Sequence, residues 1–116
     1  MGLPDLCSVQ RAEELNDRGI YELLHNSDAE TALRFFLKAI DLENSNTSAL
    51  HNCGDLYNSR DEFLKALPLF ETLCTLVPDK GIHWYNRAIS LSGLQRFEEA
   101  DLCLTNAYEL NPTLKI

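Results

Sequence analysis

The residues able to do chemistry are scattered along this chain. His25, His51 and His83 are the candidates for acid–base work near neutral pH, and no two of them stand at a metal-ligand spacing. Cys7, Cys53, Cys74 and Cys103 form no Cys-x-x-Cys pair and no zinc-type spacing. No Ser or Cys sits in a nucleophile motif, and no run of glycines could cradle a phosphate. The carboxylate pairs Glu13-Glu14, Asp61-Glu62 and Glu98-Glu99 fall at or near expected helix starts. Negative charge there complements the helix dipole, so the pairs read as structural. The expectation is a protein with no catalytic residues, no metal and no cofactor, in which the cysteines act as small apolar fillers of a reduced protein.

Composition narrows the partners. The chain has 116 residues, 45% of them apolar, and a formal net charge of -8. That is enough apolar content for one packed unit. The charge argues against nucleic acid and against an anionic membrane surface, since both need clustered Lys and Arg. The start lacks the charged and apolar stretches of an export signal, Leu6 stands where a myristoylation motif expects Ser or Thr, and no segment reads as membrane-spanning. These features predict a cytoplasmic protein.

The elements that position these residues read as helices. Residues 1–7 are expected to be a lead-in, with Pro4 extended and Asp5 or Ser8 capping a helix that runs from Val9 to about His25-Asn26. Ser27 with Glu30 has capping-box spacing and predicts the start of a second helix reaching Leu42. A third helix is expected over Thr47 to Ser59, and Ser59 with Glu62 repeats the capping-box spacing before a fourth. Pro78 ends the fourth, and Pro68 inside it predicts a late start or a kink. The fifth carries Trp84 to Leu91 and turns at Gly93. The sixth carries Phe97 to Leu110 and ends at Asn111-Pro112. Short turns between six helices predict an all-α chain of three antiparallel hairpins.

The hairpins repeat. At an offset of 34 residues Leu50 falls on Trp84, Asn52 on Asn86, Phe63 on Phe97, Ala66 on Ala100, Leu76 on Leu110 and Pro78 on Pro112. A fixed period of this length signals stacked repeats. The first repeat is weaker: Asn16 is read in place of the large apolar opener, Ala29 in place of the phenylalanine and Asn44 in place of the proline. Gly19 precedes Gly54 by 35 residues, which predicts one extra residue in the first helix.

The runs Trp84, Ala88, Leu91, Phe97, Ala100, Leu104, Ala107, Pro112 and Leu50, Gly54, Tyr57, Phe63, Ala66, Phe70, Pro78 resemble the tetratricopeptide repeat. The resemblance implies a right-handed superhelix of three antiparallel helix hairpins, a tetratricopeptide solenoid. Its single domain would span residues 8–112, with repeats at about 13–46, 47–80 and 81–114 and a tail at 113–116. It also implies a concave groove, lined by the first helix of each hairpin, that binds a peptide or helix of another protein. Carried across, the groove residues are Arg18, Tyr21, His25, His51, Asn52, Asp55, Asn58, Tyr85, Asn86 and Ile89. Asn52 and Asn86 stand one repeat apart, and an amide pairs with peptide backbone whatever its sequence. The carboxylate clamp of chaperone-binding members is not matched, because Asp17, Ile20, Ile82 and Asn86 occupy its other places. Alternatives are self-association through an uncapped last helix exposing Leu102, Cys103 and Tyr108, and a chaperone similar to those of type III secretion translocators.

Overall fold

The structure, a computed structural model, describes residues 5–115. Residues 1–4, with most of the expected lead-in, and residue 116 lie outside the described residues. Six α-helices follow in order: α1 Leu6–Asn26, α2 Ala29–Leu42, α3 Thr47–Ser59, α4 Phe63–Leu76, α5 Gly81–Gly93 and α6 Phe97–Leu110, then a 3₁₀ turn at Pro112–Lys115. No strand occurs among the described residues. α1 begins at Leu6, earlier than the expected Val9, because the Asp5 carboxylate accepts from the Ser8 backbone N–H at 2.8 Å and caps it. α4 begins at Phe63 and runs through Pro68, so the expected late start does not occur. The chain divides into two compact units, Met1–Cys53 and Gly54–Ile116, described here in turn.

In the first unit α1 packs along α2. Ala12, Leu15 and Ala39 are buried together with Ala49 of α3, and Phe35 and Ile40 pack against them. The phenyl ring of Phe36 is fully buried and lies on Gly19, where a Cβ would come 2.5 Å from Cε1. Only a glycine lets the two helices approach this closely. Burying such a ring contributes about 2–3 kcal/mol. Asn46 starts α3: its side-chain oxygen accepts from the Ala49 N–H at 2.9 Å.

In the second unit Phe70 of α4 lies on Gly54, the same arrangement one hairpin later. Leu67, Ala88, Leu91, Ala100 and Cys103 form the core, with Trp84, Leu94 and Leu104 packed around it. Phe63 lies against Gly93. The Trp84 indole donates to the Pro78 carbonyl at 2.9 Å, and the Arg87 guanidinium sits over the same ring, 5.4 Å from its centroid. Cys103 is 5% exposed, which corrects the expectation that it lies partly bare; its burial in this core is the reason. Leu102, by contrast, is 69% exposed.

The two glycine–phenylalanine contacts fix the helix registers. Gly19 and Gly54 are equivalent, so Leu15 and not Asn16 holds the place of Leu50 in the first repeat. Leu15 is buried accordingly. The extra residue is absorbed at the end of α1, where the N–H groups of Ser27 and Asp28 both reach the Glu22 carbonyl. The other two hairpins close one residue tighter, Glu62 bonding Tyr57 and Arg96 bonding Leu91.

Each hairpin turns through a left-handed residue at the same place in the repeat: Ser27 (φ 51°), Asp61 (φ 57°) and Gln95 (φ 63°). This corrects both capping-box readings. Ser27 closes α1, and Asp28 caps α2 by accepting from Thr31 N–H at 3.0 Å. Ser59 donates its hydroxyl to the Leu56 carbonyl and so serves the end of α3. Glu62 holds the cap position of α4 without a side-chain cap bond.

Candidate functional site

In the second unit the helical spacing of Ile82, Tyr85, Asn86 and Ile89 places them on one stripe of α5. Ile82 and Ile89 are 37% and 39% exposed, and Tyr85 is half-buried. Asn86 is only 7% exposed. Its backbone carbonyl accepts from Asn58 Nδ2 at 3.3 Å, while its side-chain amide makes no hydrogen bond to a described residue. The amide atoms retain contact with solvent. Those atoms are therefore hydrated in the free protein and carry no unpaired-group penalty.

Asn58 belongs to the scaffold of this stripe. Its amide nitrogen holds the Asn86 carbonyl and its oxygen accepts from the Ser90 hydroxyl at 2.8 Å, which ties α3 to α5. Ser90 is fully buried. Sequence reading missed it; the signal available was a polar residue among the apolar positions of α5. Asp55 lies one turn before Asn58 and is exposed, with no ion-pair or hydrogen-bond partner among the described residues.

In the first unit the Tyr21 and His25 rings stack at 4.3 Å between centroids, tilted by 33°. Tyr21 is 52% exposed and Leu24 74%. Arg18 is held along its own helix: its Nε lies 3.5 Å from the Glu22 carboxylate, and its guanidinium sits over Phe35 of α2. Glu22, only 9% exposed, also accepts from Asn26 Nδ2 at 2.7 Å. This buried carboxylate was not legible as a site residue, because it occupies a face otherwise read as apolar. Asn52 donates to Asn16 Oδ1 at 3.0 Å, so its amide is engaged within the unit, unlike that of Asn86. His51 is half-buried beside it.

Burial pushes the Cys53 thiol up to about 12 and the Cys74 thiol up to about 11, and raises that of Cys103. These thiols stay protonated and unreactive near neutral pH. No group of His, Cys, Asp or Glu among the described residues could hold a metal ion. No helix among them is long and apolar enough to cross a membrane.

Comparison with known proteins gives the fold a name. The sequence model of the tetratricopeptide repeat matches residues 83–114, which cover most of α5, all of α6 and the turn after it. The tetratricopeptide-repeat domain of OM64 from Arabidopsis superposes with a TM-score of 0.82 at 18% identity, over 90% of this chain and 86% of that one. MamA from Desulfovibrio magneticus RS-1, from residue 41 onward, superposes with a TM-score of 0.80 at 23% identity, as does a double mutant of it. That match covers 87% of this chain and 56% of the MamA chain. No curated protein matches the sequence. The chain has the tetratricopeptide-repeat fold in three repeats, all-α, as the register predicted.

Proposed function

We propose that the protein is an interaction module whose α5 face binds a peptide or helical segment of a partner protein. The observation that carries this reading is the Asn86 side chain, largely enclosed yet with an amide that is open to solvent and makes no hydrogen bond to a described residue, between the exposed isoleucines of one helical stripe. An amide kept in that state supplies both a donor and an acceptor to an incoming backbone. Ile82, Tyr85 and Ile89 supply the apolar contact beside it, and Asn58 with Ser90 holds the stripe in place. Tyr21, Leu24 and His25 make a separate aromatic and apolar surface on α1 suited to the same work. The net charge of -8 favours a partner with basic groups.

The test is affinity capture from a native lysate with the wild type and with Asn86→Leu, followed by titration of the captured partner. Asn86 is the right single probe, since replacing Asn52 would also break its bond to Asn16. Loss of binding with folding intact supports the reading; unchanged affinity contradicts it.

Self-association is a second reading. On α6, Phe97 is 59% exposed and Leu102 is 69% exposed. Sedimentation across a wide concentration range tests it, and a strictly monomeric profile counts against it.

A further inference from the structure

We propose that Asp55 selects for an arginine in the segment that lies on the α5 stripe. This rests on the reading of that stripe as the binding face, and it names the side chain the partner must carry. Asp55 and the stripe belong to the same compact unit. α3 and α5 run in the same direction, because each is antiparallel to α4 between them. Asn58 is bonded to the Asn86 carbonyl and the Ser90 hydroxyl, so it is level with the turn between those two residues. Asp55, one turn earlier on α3, is therefore level with Tyr85 and Asn86. It also precedes Ile89 by the 34-residue offset of the repeat. Asp55 thus holds on α3 the place that Ile89 holds on α5, and both are exposed.

The basic side chains near Asp55 in sequence are turned elsewhere. Arg60 and Lys65 lie 3.2 and 3.4 Å from the Glu62 carboxylate. Arg87, next to Asn86, is 3.7 Å from Glu71 on α4 and sits over the Trp84 ring. No described residue pairs with the Asp55 carboxylate. Ile20 and Ile89 fill the equivalent places of the other two hairpins, so this charge is not a solvating feature common to the repeats.

In the free protein water solvates the carboxylate. A segment that touches both Ile82 and Ile89 covers about 10 Å of α5 and removes water from what lies beside it. Packed helices stand about 8–10 Å apart, so Asp55 falls within that footprint. A carboxylate that loses water without gaining a cation destabilises the complex. The covering segment must bring that cation, and the surroundings favour arginine over lysine. Both carboxylate oxygens are free, which suits the planar fork of a guanidinium. The Tyr85 ring, level with Asp55, has no aromatic or cationic partner among the described residues, so a guanidinium has a ring face to lie on. The Asn86 amide, enclosed beside them and bonded by no described residue, is left to meet the backbone next to that arginine.

The test titrates the intact protein with N-acetyl-Leu-Arg-Leu-amide, following backbone amide resonances. Two further peptides replace the arginine by citrulline, its neutral isostere, or by lysine. The arginine peptide should give saturable shifts at Asp55, Ile82, Tyr85, Asn86 and Ile89. The citrulline peptide should bind at least about fivefold more weakly. The lysine peptide should bind at least about threefold more weakly, since an ammonium neither grips both oxygens nor lies flat on a ring. Asp55→Asn should weaken the arginine peptide at least about fivefold and leave the citrulline peptide unchanged. Asp55 is exposed and bonds no described residue, so the substitution leaves the fold intact. Asp101→Asn on α6 removes the same charge away from the stripe and should change nothing. No saturable shift with the arginine peptide, equal binding of the citrulline or lysine peptide, or equal weakening by Asp101→Asn each overturns the proposal. Equal binding of the arginine and citrulline peptides, with both weakened by Asn86→Leu, would overturn Asp55 as the selecting residue while supporting α5 as the binding face, so the two failures are distinguishable.

Discussion

Gly54 and Phe70 stand so close that a Cβ on the glycine would lie 2.7 Å from the Phe70 Cζ. The ring is fully buried and has no room to withdraw. Gly54→Ala should therefore destabilise the protein by about 1–3 kcal/mol through overpacking. Combining it with Phe70→Leu should recover part of that loss. Urea unfolding of the four members of this cycle measures the coupling; additive effects would show that the close approach does not matter.

Gln95 holds a left-handed backbone without the freedom of glycine. The strain at such a residue is about 1–2 kcal/mol, partly offset in a glycine variant by the greater freedom of the unfolded chain. Gln95→Gly should raise stability by about 0.5–1 kcal/mol. A lowered urea midpoint would contradict the assigned turn geometry.

Cys7 is exposed, while Cys53, Cys74 and Cys103 are buried with raised thiols. A thiol reagent at pH near 8 should label Cys7 in the native protein, and the other three only after unfolding, at least about tenfold more slowly. Mass spectrometry of the labelled peptides reads this directly.

Hydrogen bonds from the Thr31 hydroxyl and N–H hold the Asp28 carboxyl below its ordinary value of 3.8. A carboxyl lowered in the folded state contributes stability above its unfolded value, and that contribution is lost as pH falls through the folded value. Asp28→Asn keeps a capping oxygen but does not titrate, so it should flatten the loss of stability below about pH 4. An unchanged acid limb in the thermal melting profile would exclude Asp28 as a contributor.

The fold was legible because apolar spacing and repeat period survive in single residues: Phe63 with Phe97, Ala66 with Ala100 and Pro78 with Pro112. The turns were less so. A left-handed residue announces itself when it is glycine, and here the places are filled by Ser27, Asp61 and Gln95. The serines at 27 and 59 instead matched a capping pattern that the backbone does not use. At the candidate site, the sequence placed Asn52 and Asn86 in equivalent positions, but not their opposite states. Whether an amide is bonded depends on which neighbour reaches it. Asn16 reaches Asn52, whereas no described residue bonds the side-chain amide of Asn86.

That difference sets the most direct measurement of the central claim. Asn86→Leu keeps the branched shape and heavy-atom count of the side chain and removes an amide that no described residue bonds. The free protein should keep its stability to within about 1 kcal/mol, because the amide is hydrated there and carries no unpaired-group penalty. The same variant should bind the captured partner at least about tenfold more weakly, since the amide's use is in the complex. Measuring the unfolding midpoint and the partner Kd on one preparation separates an effect on binding from an effect on folding. Weaker binding with stability little changed is the predicted result. An unchanged Kd would contradict α5 as the binding face, whatever happens to the stability.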